Sequence, residues 1–393
     1  MFSPEKVEAI IRDVLAGNEG FLSLHEPTIA AREKELVNDC LDSGFVSSVG
    51  QYVALFEQQL ADFLGVRHVV AVVNGTAALH VSLLLAGVGK SDEVIVPTLS
   101  FIATANAVSY CGAIPHFVDS NELSLGLDTA KLEGYLADIL LFDAGRWINR
   151  KTGRRVAAIV PMHTFGHPVD MDALNIVAKK YCLPVVEDAA ESLGSRYKGM
   201  MTGSLSLLGA ISFNGNKIIT TGGGGAIATN DTVLARHARH ITTTAKVPHR
   251  WAFNHDAVGF NYRMPNLNAA LGCAQLERMP AFLVDKRKLA ERYRQAFAGE
   301  DKVRFFTEPD YAESNYWLNA LLFDESVADQ RDEVLSLTND AGLMTRPVWV
   351  LLHTLPMFKT CPAMEDLSVS KSLEKRLMNI PSSPFLLRQD ADA

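Results

Sequence analysis

Between about residues 66 and 230 the chain alternates short, wholly apolar runs with stretches whose apolar positions recur at helical spacing. "RHVVAVVNG" predicts a buried strand and "TAALHVSLLLAGVG" the helix after it. "DEVIVP", "AIPHFVD", "RRVAAIVPMH" and "LPVVEDAA" predict further strands, with "TLSFIATANAVSYCG" and "DMDALNIVAKKYC" as intervening helices. Strands apolar on both faces, alternating with helices, imply an α/β fold with a mainly parallel sheet covered on both sides. "LGAISFN" and "GGAIATND" predict two more short β runs. Beyond about residue 230, charged helical segments such as "LVDKRKLAERYRQAFAG" and mixed ones such as "NYWLNALLFDE" take over. The pattern divides the chain into a large unit, residues 1–255, and a smaller α+β unit, residues 256–393. The large unit includes the amphipathic helix expected in "MFSPEKVEAIIRDVLAG".

Composition narrows the function classes. With 393 residues, 48% hydrophobic and 21% charged, the chain has ample material for a large core. A net charge of −8 without any long Lys/Arg run argues against nucleic acid as a partner. Charged residues interrupt each apolar stretch before it reaches membrane-spanning length, so no membrane partner is expected. The five cysteines, Cys40, Cys111, Cys182, Cys273 and Cys361, never pair as CxxC. That spacing points to reduced thiols, no metal centre and a cytoplasmic setting.

In open α/β sheets ligands gather at the carboxyl ends of the strands, so polar residues there are examined first. Gly75 and Thr76 stand at a strand-to-helix turn, where free helix N–H groups and a hydroxyl make either a phosphate cradle or a plain N-cap. "VVEDAAES" ends an apolar strand with Glu187 and Asp188, acids able to bind a ribose, hold Mg²⁺, pair with a protonated heterocyclic nitrogen or cap a helix. "SFNGNKIITTGGGG" places Lys217 beside Ser212 and ahead of four glycines. Ile218 follows the lysine where a P-loop needs Ser or Thr, and no GxGxxG follows a strand to open a helix. What is left for Lys217 is a carbonyl-condensing amine or a solvated loop cation. A phosphate cradle, an acid and a lysine after three different strands are together the parts that pyridoxal 5'-phosphate requires.

These motifs, with "FVSSVGQYVALFEQQLADFLG", "VPMHTFGHPVDMDAL", "VGFNYRMPNLNAALGCAQL" and "TRPVWVLLHTLPMF", resemble the DegT/DnrJ/StrS family of pyridoxal-phosphate-dependent nucleotide-sugar aminotransferases. The resemblance runs through almost the whole chain and implies a fold-type-I (aspartate aminotransferase-like) transferase. It implies Lys217 as the Schiff-base lysine and Asp188 as partner of the pyridine nitrogen. Gly75, Thr76 and Ser212 would hold the phosphate, Phe101 would stack on the ring, and Glu191 would lie near its phenolic oxygen. His163 would sit at a strand end close to the cofactor. Asn261 would reach the cofactor of the neighbouring subunit, which implies a homodimer with shared sites.

Relatives that dehydrate sugars carry histidine in place of the lysine, so Lys217 favours transamination, with L-glutamate as donor and 2-oxoglutarate as product. "LHEPTIAAREKELVNDCLDSGFVSSVGQYV" and "TFGHPVDMDAL" look most like the bacillosamine and legionaminic-acid branch. That branch aminates C4 of a nucleotide-linked 4-keto-6-deoxy-N-acetylhexosamine, so a UDP-linked substrate is expected. The alternatives are a GDP-linked perosamine-type 4-aminotransferase, a 3-keto-sugar enzyme, or a non-catalytic regulator on the same fold. His25, Glu26, Ser47, Ser48, Arg250 and Arg346 are candidates for holding the nucleotide sugar.

Overall fold

The computed structural model describes residues 2–390; positions 1 and 391–393 of the two expected units lie outside it. Three helices, α1 (Pro4–Val14), α2 (Ala31–Ser43) and α3 (Gln51–Leu64), precede the predicted alternation. The alternation comprises β1 (His68–Val72), α4 (Gly75–Leu85), β2 (Glu93–Pro97), α5 (Ile102–Tyr110), β3 (Ile114–Val118) and α6 (Thr129–Ile139). It continues through β4 (Val156–Ile159), α7 (Met171–Lys180), β5 (Val186–Asp188), β6 (Leu208–Ser212), β7 (Gly225–Thr229) and α8 (Thr232–Thr242).

β2 lies between β3 and β4 and runs parallel to both. β5 pairs in parallel with β6, and parallel bridges at Ile159–Val185 and Met162–Asp188 join β4 to β5. β7 sits antiparallel between β6 and β1, giving the sheet order 3-2-4-5-6-7-1. The reversal has a local cause. A parallel return needs a crossover, usually a helix, but the segment between β6 and β7 is a helix-free turn built around Lys217.

Side chains along these strands alternate between two buried faces, as a covered sheet requires. Val69 and Ala71 join Phe56, Leu60 and Cys273 in one core; Val70 and Val72 join Leu79, Val96 and Val108 in the other. The 31-residue helix α9 (Asn266–Ala296) runs straight through Pro280, where the sequence pattern suggested a later start. A proline costs an interior helix about 3 kcal/mol. Here the preceding half buries Ala269, Ala270, Cys273 and Ala274 in the first core, which offsets that cost. Gly272 permits the approach, because a Cβ there would lie 2.8 Å from the Phe56 ring.

The C-terminal layer is an antiparallel sheet of β8 (Val303–Phe305), β9 (Asn319–Phe323), β10 (Arg346–Pro347) and β11 (Leu377–Ile380), in the order 8-9-11-10, flanked by α10 (Arg331–Asp340). Helix α1 packs here: Val7, Ile11 and Val14 lie in one apolar cluster with Leu289, Tyr293, Val334 and Met378. The first helix, grouped by sequence order with residues 1–255, thus belongs by its packing to the C-terminal core. Its amphipathic stripe specifies that it must be buried, but not against what.

The hairpin Leu140–Asp143/Arg146–Asn149 is fastened to the amino end of β2 by a buried acid. Glu93 accepts hydrogen bonds from His116 Nδ1 (2.8 Å), Asn149 Nδ2 (2.8 Å) and Thr152 Oγ1 (2.5 Å). Burial pushes its carboxyl up, but these hydrogen bonds outweigh burial and hold it below the ordinary range. An acid depressed in the folded state stabilises above its unfolded value, and that contribution is lost as pH falls through the folded value. Glu93→Ala is expected to cost about 3 kcal/mol by stranding its buried donors. Urea unfolding checks this; the loss at neutral pH should shrink on acidification.

Candidate active site

One cavity of about 670 Å³ opens at the carboxyl ends of the central strands, walled on its far side by the C-terminal layer. Gly75, Thr76, Phe101, Asp188, Glu191, Ser212, Lys217 and Arg346, predicted separately from the sequence, all line it. Its first corner is the start of α4. Asn74 caps that helix by accepting from Ala77 N–H at 2.7 Å, and the amides of Gly75 and Thr76 remain as unused first-turn donors. Ser212, at the end of β6, is the neighbour there: a Cβ on Gly75 would lie 2.8 Å from Ser212 Cβ. A Cβ on Gly225 would lie 2.4 Å from the Asn74 carbonyl oxygen, so the glycine run lets β7 close against this corner.

Asp188 ends β5 and is almost wholly buried. Thr104, in the first turn of α5, donates to Oδ2 at 2.7 Å, and Ala190 N–H donates to Oδ1 at 3.2 Å. Burial pushes its carboxyl above the ordinary range and outweighs the lowering by these two hydrogen bonds, both from neutral donors. Glu187, one residue earlier on β5, points the other way. It accepts from Gly203 and Leu205 N–H, both at 2.7 Å, and from His163 Nε2 at 3.1 Å.

Lys217 follows the Asn214 turn, with its N–H on the Asn214 carbonyl at 3.0 Å. Its Nζ lies 3.3 Å from Glu191 Oε1 and 3.7 Å from the centre of the Trp317 ring. Glu191 is buried, which pushes its carboxyl up to about 7 despite the lysine. Its other oxygen accepts from Phe165 N–H at 2.9 Å, which Phe165 presents from a left-handed φ of 56°.

His163, His25, Glu26, Ser47, Ser48, Arg250 and Asn261 do not line the cavity. His163 is fully buried behind the cavity: its Nδ1 accepts from Val169 N–H at 3.1 Å, so both ring nitrogens serve the scaffold rather than the cavity. His25 is buried beside Leu24, which lines the cavity, and burial together with Lys286 and Lys217 holds its imidazole well below the ordinary range. Glu26 is exposed, with its N–H on Ser383 Oγ at 2.9 Å. Ser47 gives its carbonyl to Asn266 N–H at 2.7 Å, and neither it nor Ser48 lines the cavity. Arg250 lies on an exposed hairpin, 5.5 Å from the Trp251 ring. Arg346 reaches the cavity while bonded to Asn339 Oδ1 at 2.9 Å. Asn261 is exposed and bridges to Thr243, outside its own chain's cavity.

Sequence reasoning missed Trp317, Trp349 and Asn379, all cavity-lining and all from the C-terminal layer. Trp349 fills the space between Phe101 and Phe165, at ring-centre distances of 6.1 and 5.0 Å. The available signal was tryptophan itself, present only four times in the chain.

The donor set fits pyridoxal phosphate. Helix-start amides and a hydroxyl suit its phosphate, an acid buried among neutral donors suits a protonated ring nitrogen, and a nearly buried lysine faces the space between. Sheet order and cavity together define a fold-type-I, pyridoxal-phosphate-dependent aminotransferase. The sequence profile of the DegT/DnrJ/EryC1/StrS aminotransferase family matches residues 27–393. GDP-perosamine synthase of Caulobacter vibrioides is 37% identical over 375 residues, covering 94% of this chain and 95% of that protein. A putative pyridoxal phosphate-dependent aminotransferase, EpsN of Bacillus subtilis, is 35% identical, covering 91% of this chain and 90% of its own. Among solved structures, the aminotransferase TlmJ of Streptoalloteichus hindustanus superposes with a TM-score of 0.83 at 29% identity, over 92% of this chain and 94% of that one. The chain belongs to the DegT/DnrJ/EryC1/StrS family and is a sugar aminotransferase.

Proposed function

We propose that the protein transfers the amino group of L-glutamate to C4 of a nucleotide-linked 4-keto-6-deoxyhexose and releases 2-oxoglutarate. The observation that carries this reading is the convergence of Lys217, Asp188 and the start of α4 on one cavity. Bound there, pyridoxal phosphate supplies a carbonyl that condenses with amines and a ring that takes up an electron pair. Lys217 Nζ would hold the group through that carbonyl and would move the proton on one face of the site. Asp188 would keep the ring nitrogen protonated, while Ser212, Thr76 and the Gly75 and Thr76 amides would hold the phosphate. Phe101 and Trp349 form the aromatic wall that limits how a ring lies. Asn261, exposed and outside its own cavity, supports a homodimer in which it completes a second chain's site.

Similarity to proteins named GDP-perosamine synthase supports a GDP-linked substrate. It supports this perosamine-type alternative better than the UDP-linked N-acetylated sugar that the branch resemblance led us to expect. Among the described residues no helix is long and apolar enough to cross a membrane. With five free thiols, this is the basis for a cytoplasmic site of action. The test is a panel of GDP-, UDP- and dTDP-linked 4-keto and 3-keto sugars incubated with glutamate, with 2-oxoglutarate release measured. Turnover is expected on the GDP-4-keto-6-deoxymannose type. Turnover confined to a 3-keto or an N-acetylated UDP sugar would overturn the substrate assignment.

A further inference from the structure

We propose that Trp317, supplied by the C-terminal layer, is a positioning residue that aims the Lys217 amine. The proposal rests on Lys217 being the lysine that bonds the cofactor. Two contacts connect the residues. The indole face lies 3.7 Å from Lys217 Nζ, the arrangement in which a ring's negative face attracts an ammonium. The same ring donates from Nε1 to the carbonyl oxygen of Asn216, the residue just before the lysine, at 2.7 Å. One side chain therefore fixes both the tip of Lys217 and the backbone that carries it.

Trp317 is itself held from several directions and is only 4% exposed. The main-chain N–H of Trp317 donates to Asn315 Oδ1 at 2.7 Å, and Asn315 Nδ2 donates to the carbonyls of Glu191 (3.0 Å) and Leu193 (2.9 Å). That ties Trp317 to the backbone of the acid on the other side of the amine. The Trp317 main-chain carbonyl accepts from Lys286 Nζ at 3.1 Å, a buried amine on α9 that also reaches the Ser382 carbonyl at 2.6 Å. The preceding residue, Tyr316, sits at a left-handed φ of 47°, which bulky side chains rarely adopt. Strain of this kind persists where surrounding contacts over-determine the backbone. The amine is thus held between Glu191 from the large sheet and Trp317 from the C-terminal layer, and its aim depends on how the two layers pack.

The test adds pyridoxal phosphate to cofactor-free protein and follows two signals: the growth rate of the lysine-bound absorbance, and the induced circular dichroism of that band per bound cofactor. Trp317→Leu loses both contacts and should slow the bonding step about tenfold and weaken the induced band. Trp317→Phe keeps a ring face but loses the Asn216 hydrogen bond, and should slow it only a few-fold. Thermal melting identifies folded variants; the phenylalanine variant keeps most of the buried volume and serves if the leucine variant does not fold. Folded variants with wild-type rate and band would overturn the role of Trp317 while leaving Lys217 in place. A wild-type protein that gives no lysine-bound absorbance would instead overturn the reading of Lys217 itself. A purely structural tryptophan would lower the melting temperature without moving the band.

Discussion

Replacing Lys217 by alanine is expected to lower amino transfer by at least about 10⁴-fold while leaving the fold intact, since one side chain provides both the covalent bond and the proton transfer. Among the described residues the cavity lining offers no substitute amine: the buried Lys286 has its Nζ on the carbonyls of Trp317 and Ser382. Stability should change little. Losing the lysine strips Glu191 of its cationic neighbour, but that carboxyl already sits at about 7 through burial, so it takes up a proton rather than remaining a buried anion. Lys217→Ala should still bind pyridoxal phosphate through the start of α4 and Ser212, and should lack the lysine-bound absorbance. Spectroscopy and a glutamate-dependent turnover assay check both points. A variant that retained either the band or wild-type turnover would remove Lys217 from its assigned role.

Asp188→Asn is expected to keep cofactor binding and fold but to lower turnover by roughly 10²–10³-fold, the scale for removing one preorganised charge from a dry site. Asparagine keeps an acceptor oxygen for the Ala190 N–H, and its Nδ2 can donate to Thr104 Oγ1, whose hydroxyl then turns to Ser100, so the geometry that positions residue 188 survives. What it lacks is the negative charge that keeps the ring nitrogen protonated. The loss should fall on kcat rather than on cofactor occupancy, which absorbance at the cofactor band measures independently. Wild-type kcat in a fully loaded Asp188→Asn enzyme would show that the acid only supports the strand end.

The two roles differ in how far sequence alone could reveal them. Apolar runs identified all seven central strands, because a strand buried on both faces admits few polar residues. The residues ending those strands were legible for the same reason, since the loops there carry the chemistry. The reversed direction of β7 was not legible: it follows from a turn too irregular to host a crossover helix. Nor was the continuation of α9 through Pro280, where local propensity is overridden by burial against α2 and α3. The ring partners of His163 were not legible either: its ring nitrogens meet Glu187 and Val169, while its main-chain N–H meets the Asp188 carbonyl at 3.2 Å.

By itself the sequence determined the α/β class, the apolar strands, and a lysine, an acid and a helix start placed after three of them. Each of those features is local, set by hydrophobic period and turn chemistry within about ten residues. Only the tertiary structure decided that α1 closes the C-terminal core, that Trp317 faces the lysine and Trp349 lines the same cavity, and that Glu187 and Asp188 part ways. These depend on contacts between residues far apart in the chain, such as the 100 positions from Lys217 to Trp317, whose packing no local pattern encodes.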